Sequence, residues 1–286
     1  HFKNNEIQVS TLCSIKSGGC PENCKYCPQS AHYKTDVKKD PFMDKEDILD
    51  HAKKAKQNGA TRFCMGAAWR SLHDKDLNKV CDIIHDVKSL GLETCMTLGM
   101  ITQNQAEKMK VSGLDYYNHN IDSSKEFYDK IITTRTYQDR IDTLTNVANS
   151  GIKICSGGIV GMGETVKDRA NMLLTLKSLP KDPESIPINM LVKSKGTPFE
   201  NIEDIDSFEF IKVIAVARIM FNKSYIRLSA GRLNMNKETQ ALCFLAGANS
   251  IFFGEKLLTT DNNDANQDLK ILESLGLKFQ KSETNL

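Results

Sequence analysis

The chain has 286 residues, 40% hydrophobic and 26% charged, with 38 Lys and Arg against 36 Asp and Glu for a formal charge of +2. That length supports one large α/β domain with a substantial core, and the balanced charge leaves no electrostatic footprint for nucleic acid or an acidic membrane surface. No apolar run approaches the roughly 18 residues of a membrane helix and no signal-peptide pattern is visible, so a soluble protein of the cytoplasm is expected.

Short β-rich runs alternate with stretches of helical apolar spacing along the whole chain. "VSTLCSI" from Val9 leads through a Gly- and Pro-rich loop to a helix over 44–57, and "TRFCMG" from Thr61 to one over 75–90. "ETCMTL" from Glu93 precedes a helix over 102–112, and "YYNHNI" from Tyr116 one over 136–150. "IKICSGGIV" from Ile152, "SIPINML" from Ser185, "YIRLSA" from Tyr225 and "SIFFG" from Ser250 precede helices over 165–178, 206–220, 237–246 and 264–275. In "QNGA", "LGLE", "SGLD" and "NSGIK" a glycine stands where a left-handed helix cap is expected. Strict alternation predicts a parallel sheet with helical crossovers, and eight units favour closure into a (βα)8 TIM barrel over a doubly wound sheet. No linker or repeat divides the chain, so residues 1–286 read as one domain, with "KFQKSETNL" from Lys278 expected to fray.

The loop after the first strand holds Cys20, Cys24 and Cys27 in "CPENCKYC", a C-x3-C-x2-C arrangement. Such a loop can turn three thiolates around one inorganic core. Buried packing is a poor explanation for three cysteines beside Glu22, Asn23 and Lys25, whereas a Cys3His zinc site completed by His32 remains an alternative. Iron and sulfur are the favoured occupants, and three ligands for four irons leave one iron open to a substrate or cosubstrate.

Nine cysteines at irregular spacing suit a reducing interior better than a disulfide framework. Three of them, Cys64, Cys95 and Cys155, sit near the middle of predicted strands, as does Arg227, so alternate-residue geometry could bring all four into a barrel lumen. Small residues filling barrel layers are the plainer explanation for any one of them. Cys13, Cys81 and Cys243 read as structural. In "NHNID", Asn118, Asn120 and Asp122 share one face at period two, Asn189 lies mid-strand, and His119 should point the other way. Buried amides and carboxylates need partners, and a polar ligand inside the barrel accounts for these together.

"CPENCKYC", with an aromatic residue before its third cysteine, resembles the signature of the radical S-adenosylmethionine (SAM) superfamily. The longer segments "TRFCMGAAW", "CMTLGM", "DYYNHNID", "CSGGIVGMGETVKDRA", "PINMLVKSKGTP", "YIRLSAGR" and "GANSIFFGEKLLTT" resemble biotin synthases, from about Gln8 to Leu277. The resemblance implies a [4Fe-4S] cluster on Cys20, Cys24 and Cys27 that chelates SAM and cleaves it reductively to a 5′-deoxyadenosyl radical. It also implies a [2Fe-2S] cluster on Cys64, Cys95, Cys155 and Arg227 that supplies the sulfur turning dethiobiotin into biotin. An arginine ligand would not be proposed from chemistry alone, since guanidinium is essentially always protonated.

By the same resemblance, Tyr26 and Asp122 would contact SAM, Asp122 through the ribose. Gly157, Ile159, Gly161 and Glu164 would support its adenine side. Asn120 and Asn189 would hold the ureido ring of dethiobiotin, and Thr259 and Thr260 its carboxylate. A homodimer, an electron donor such as flavodoxin or ferredoxin, and iron-sulfur assembly machinery are the implied partners. The family carries more residues before the first strand and after the last helix than this chain. The chain starts at His1, so any targeting segment would lie upstream, and in a eukaryote the mitochondrial matrix would be the expected compartment. The alternatives are a radical SAM barrel enzyme without sulfur insertion and a metal-binding or electron-transfer protein.

Overall fold

A computed structural model describes residues 2, 5–254, 256–263 and 265–281. The parallel strands are β1 (Glu6–Lys16), β2 (Arg62–Ala67), β3 (Glu93–Thr97), β4 (Tyr116–Asn118), β5 (Lys153–Cys155), β6 (Gly158–Val160), β7 (Ser185–Met190), β8 (Tyr225–Leu228), β9 (Ser250–Phe252) and β10 (Lys278–Phe279). Eight of them, β1 to β5 and β7 to β9, follow chain order around the sheet, with β6 paired to β7 and β10 to β1, and β1 pairs with β9 through Gln8↔Ser250, Val9↔Ile251 and Ser10↔Phe252. That pairing closes the barrel and settles the choice against an open doubly wound sheet.

The helices are α1 (Lys45–Gln57), α2 (Asp74–Ser89), α3 (Gln103–Val111), α4 (Lys125–Tyr128), α5 (Tyr137–Asn149), α6 (Val166–Lys177), α7 (Ser207–Met220), α8 (Lys237–Leu245) and α9 (Ala265–Ser274). Their starts are chemically marked: the side chains of Thr102, Thr136 and Thr165 each cap a helix, and their backbone N–H groups donate in return to the side chain three residues on. Their ends are marked as well, with φ between +70° and +100° at Gly59, Gly91, Gly113 and Gly151. Outside the barrel, Ile48, Val80, Ile84, Leu144, Leu173 and Ile214 bury one helical face each against the sheet.

The structure departs from the sequence reading in three places. The run expected over 152–160 is two strands, because at Gly157 the backbone meets β7 too closely to admit a side chain: a Cβ there would lie 2.0 Å from the Pro187 carbonyl oxygen. The strand expected to reach Ile121 stops at Asn118, after which the amides of Ile121 and Asp122 both turn to the Gly157 carbonyl. The expected frayed end instead begins with β10, where Lys278 and Phe279 pair with Glu6 and Ile7. Residues 282–286 of that segment lie outside the described residues.

Candidate active site

Two groups of thiols sit at different depths of the barrel. In the lumen, adjacent register places Cys64 beside Cys95 and Asn118 beside Cys155, and Cys64, Cys95 and Cys155 form one buried cluster with Tyr116. Arg227 on β8 reaches the same lumen, is 1% exposed, and lies with its guanidinium carbon 4.5 Å from the Phe252 ring centre. It donates from Nε to Ser250 Oγ (3.0 Å) and from Nη2 to Ser10 Oγ (2.9 Å) and Gln8 Oε1 (3.2 Å). Arg62 is stacked 3.4 Å from the centre of the Tyr116 ring and paired at 2.9 Å with Glu93.

These charges set the protonation of the thiols. Cys155 is held down at about 5, first by the hydrogen bond from Cys95, against the opposing effect of burial, and then by Arg227 and Arg62. Asn118 Nδ2, 3.3 Å from Cys155 Sγ, helps further. Burial opposes ionisation of Cys64, but the bond with Cys95 and the two guanidinium groups outweigh it and lower its pKa. Cys95 keeps its proton, raised well above the ordinary thiol range by its bonds to Cys155 and Cys64 and by burial. Three soft sulfur donors facing a fixed positive charge are a donor set for iron and sulfide rather than for a hard cation.

The second group lies in the loop between β1 and α1. Backbone bonds from Cys20 N to Gln29 O (2.9 Å), Ala31 N to Cys20 O (2.7 Å) and Cys27 N to Cys24 O (2.9 Å) fold the loop on itself. Burial, with the neighbouring Cys24, pushes the Cys27 thiol up to about 12, and burial raises Cys20 and Cys24 too. Metal binding here would therefore release protons. His32 Nε2 pairs with the Pro21 carbonyl at 3.0 Å, so a zinc alternative would have to use its Nδ1. Among the described residues, no three His, Cys, Asp or Glu side chains are arranged to hold a single metal ion.

A cavity joins the two groups. Cys27 and Tyr26 line its mouth, Cys64, Cys95, Cys155 and Arg227 its depth, and Asn118, Asn120, Asp122, Ile159 and Asn189 its wall, with Thr259 and Thr260 on the loop after β9. Cys20, Cys24, Gly157, Gly161 and Glu164 are not among the residues that line it. Glu164 is spent on the turn itself, accepting from Gly161 N (3.0 Å) and Met162 N (2.7 Å) and pairing with Arg169 at 3.1 Å. Asn189 ties strand ends together, donating to Gly158 O (3.0 Å) and accepting from Ala230 N (3.2 Å). His119 faces away, buried, its pKa driven well below the ordinary value by burial and by Arg140 and Arg135. Cys13, Cys81 and Cys243 are absent from the cavity wall.

Asp122 is the junction of the site. Its Oδ2 accepts from the Tyr26 hydroxyl at 2.7 Å and from Arg140 Nη2, while Arg140 also donates to Asn120 O (2.7 Å) and Tyr128 Oη (2.9 Å). Arg62 on β2, Arg135 in a loop and Arg140 on α5 escape pattern reading because an arginine is ordinarily a surface residue. The one available signal was arithmetic: an inward carboxylate at Asp122 needs a buried cation, and Arg140 lies on the next long helix.

The chain matches the radical SAM superfamily over residues 14–176 and the biotin and thiamin synthesis associated domain over residues 187–278. It is 62% identical over 283 residues to a biotin synthase of Idiomarina loihiensis, covering 99% of this chain and 82% of that protein. Identity to a biotin synthase of Alteromonas mediterranea is 60% over 282 residues, 99% of this chain and 75% of the relative. Among solved structures, methylornithine synthase superposes with a TM-score of 0.82 at 19% identity, over 98% of this chain and 85% of that one, a likeness of fold. No helix among the described residues is long and apolar enough to cross a membrane.

Proposed function

The chain belongs to the biotin synthase family of radical SAM enzymes, and on that premise we propose that it inserts sulfur into dethiobiotin. In this reading Cys20, Cys24 and Cys27 hold a [4Fe-4S] cluster, and Cys64, Cys95, Cys155 and Arg227 a [2Fe-2S] cluster. The observation that carries it is the convergence of three buried thiols and one buried guanidinium at the bottom of a cavity whose mouth bears Cys27 and Tyr26. The chemistry demands such a partition, because saturated C–H bonds offer no acidic proton to a general base. When bound, SAM and the two centres supply hydrogen abstraction and sulfur.

The chain's own residues bind, orient and exclude water. Asp122, fixed by Tyr26 and Arg140, offers its carboxylate to the ribose hydroxyls of SAM. Ile159 backs the adenine, while Gly157, Gly161 and Glu164 shape the turn that presents it. Asn120 and Asn189 face the ureido group, and Thr259 and Thr260 the carboxylate at the far end. Leu12, Phe252, Leu257 and Leu258 supply apolar wall that keeps bulk water from the reacting carbons. A flavodoxin or ferredoxin is the proposed donor of the electron, iron-sulfur assembly proteins rebuild the consumed centre, and the proposed assembly is a homodimer.

Anaerobic reconstitution with iron and sulfide counting, followed by a single-turnover assay, tests the reading. Cys24→Ala should abolish SAM cleavage. Cys155→Ala should stop biotin formation while leaving part of the reductive cleavage of SAM. Biotin at the normal rate from the Cys155 variant would remove the lumen thiols from the sulfur-donating role.

A further inference from the structure

Beside the thiol loop lies a buried guanidinium with too few partners. Arg135, on the connection between α4 and α5, has a side chain 8% exposed, and its Nε is 3.9 Å from Glu22 Oε2. Its Nη2 donates to Cys24 Sγ at 3.9 Å, a long contact. Neither Nε nor Nη1 has a hydrogen-bond partner among the described residues. Buried donors are rarely left without an acceptor, least of all on a charged group.

Neighbouring charges do not answer this one. Glu22, 1% exposed, also accepts from the Thr134 hydroxyl through Oε2, and its Oε1 lies 3.0 Å from Arg70 Nη1, an ion pair without hydrogen-bond geometry. Arg140 is matched by Asp122. Three guanidinium groups thus stand against two carboxylates around Cys20, Cys24 and Cys27. The guanidinium left without a carboxylate of its own is the one that donates to Cys24 Sγ.

We propose that Arg135 tunes the iron-sulfur centre held by Cys20, Cys24 and Cys27, donating to its sulfur atoms and raising its reduction potential. The inference rests on the assignment of that loop made above. Reduction adds negative charge to the centre, and a cation fixed nearby in a poorly solvated site stabilises the reduced form more than the oxidised one. Hydrogen bonds to cluster sulfur act in the same direction. Arg135 touches no substrate here and is a tuning residue, not a catalytic one.

The test is an anaerobic redox titration of the reconstituted full chain without SAM, followed through the electron paramagnetic resonance of the reduced four-iron centre. Iron and sulfide are counted in every sample. Arg135→Met should move the midpoint to a more negative potential. Arg135→Lys, which keeps the charge, and Arg135→Gln, which keeps a planar donor, should fall between it and the parent, and they carry the test if the Met variant does not hold the centre. Variants with parental iron content and a parental midpoint overturn the inference. So does an unchanged midpoint together with weakened SAM binding, since the guanidinium would then serve the cosubstrate's carboxylate. A parent chain whose iron uptake is indifferent to Cys24→Ala overturns the loop assignment itself.

Discussion

Asp122 is the one non-glycine residue among those described with a left-handed backbone, φ 66°, a conformation that costs about 1–3 kcal/mol unless its surroundings fix it. What fixes it is the pair of bonds to Tyr26 and Arg140, and the bridge its own backbone makes with Gly158. Arg140 is buried, so its charge has no recourse to water once the carboxylate is gone. Asp122→Ala is therefore expected to destabilise the iron-free protein by about 3–5 kcal/mol, the usual consequence of stranding a buried charge. Asp122→Asn keeps a polar acceptor and should lose less, yet both should weaken SAM binding. Denaturant unfolding and a SAM titration read the two effects separately; an Ala variant that unfolds at the parent's midpoint would show that Arg140 finds another partner.

At the scale of elements, the alternation of β-rich and helically spaced runs was enough to place the eight barrel strands and the eight long helices, mostly within a residue or two. Capping threonines and closing glycines are local signals, and local signals survive in sequence. The same logic placed Cys64, Cys95, Cys155 and Arg227 in one lumen, because inward residues on a parallel strand recur at period two. The break between β5 and β6 was not legible, since it depends on how closely β7 passes Gly157, a contact between residues 30 apart in the chain. Nor was the pairing of Arg140 with Asp122, which requires knowing that α5 carries Arg140 against the segment that follows β4. Gly157→Ala tests the contact directly. Its Cβ would meet a carbonyl oxygen that cannot swing aside, and an overpacked core of this kind loses about 1–3 kcal/mol. Gly151→Ala is the control, with φ +70° but no atom within 4 Å of the added carbon, so it reports backbone strain alone. Equal urea midpoints for the two variants would mean that β7 yields.

For the molecule as a whole, the question is what holds the cavity's cover in register with its floor. The cover is the segment after β9, a tight turn in which Leu257 N donates to Thr260 O at 2.9 Å and Lys256 bridges Asp261. Its inner anchor is Leu258, which fills the space left by the missing side chain of Gly66 on β2. Its outer anchor is a buried network at the barrel rim. Arg232 and Asp268, each 1% exposed, form a two-pronged ion pair at 2.6 and 2.8 Å, and Arg232 also donates to Phe252 O at 2.8 Å. Asn262 donates to Phe252 O and Gly254 O, and Asn263 joins Asp268 to Gln240 on α8. Thr259 and Thr260 are thus carried on a turn fastened from both sides, while Cys64, Cys95 and Cys155 are carried on β2, β3 and β5 and Cys20, Cys24 and Cys27 on the loop after β1. Asp268→Ala should separate the two. Removing the carboxylate leaves Arg232 buried and uncompensated, so the cover should loosen before the barrel does. Hydrogen exchange should accelerate over 256–263 with little change in β1 to β4. Dethiobiotin affinity should fall, and iron uptake should stay at the parental level because the network meets the lumen thiols only through Phe252, which the β1–β9 pairing holds independently. Uniform loss of protection across the barrel would instead make the Arg232–Asp268 pair a support of the whole fold, and Thr259 and Thr260 would then owe their position to Leu258 and Gly66.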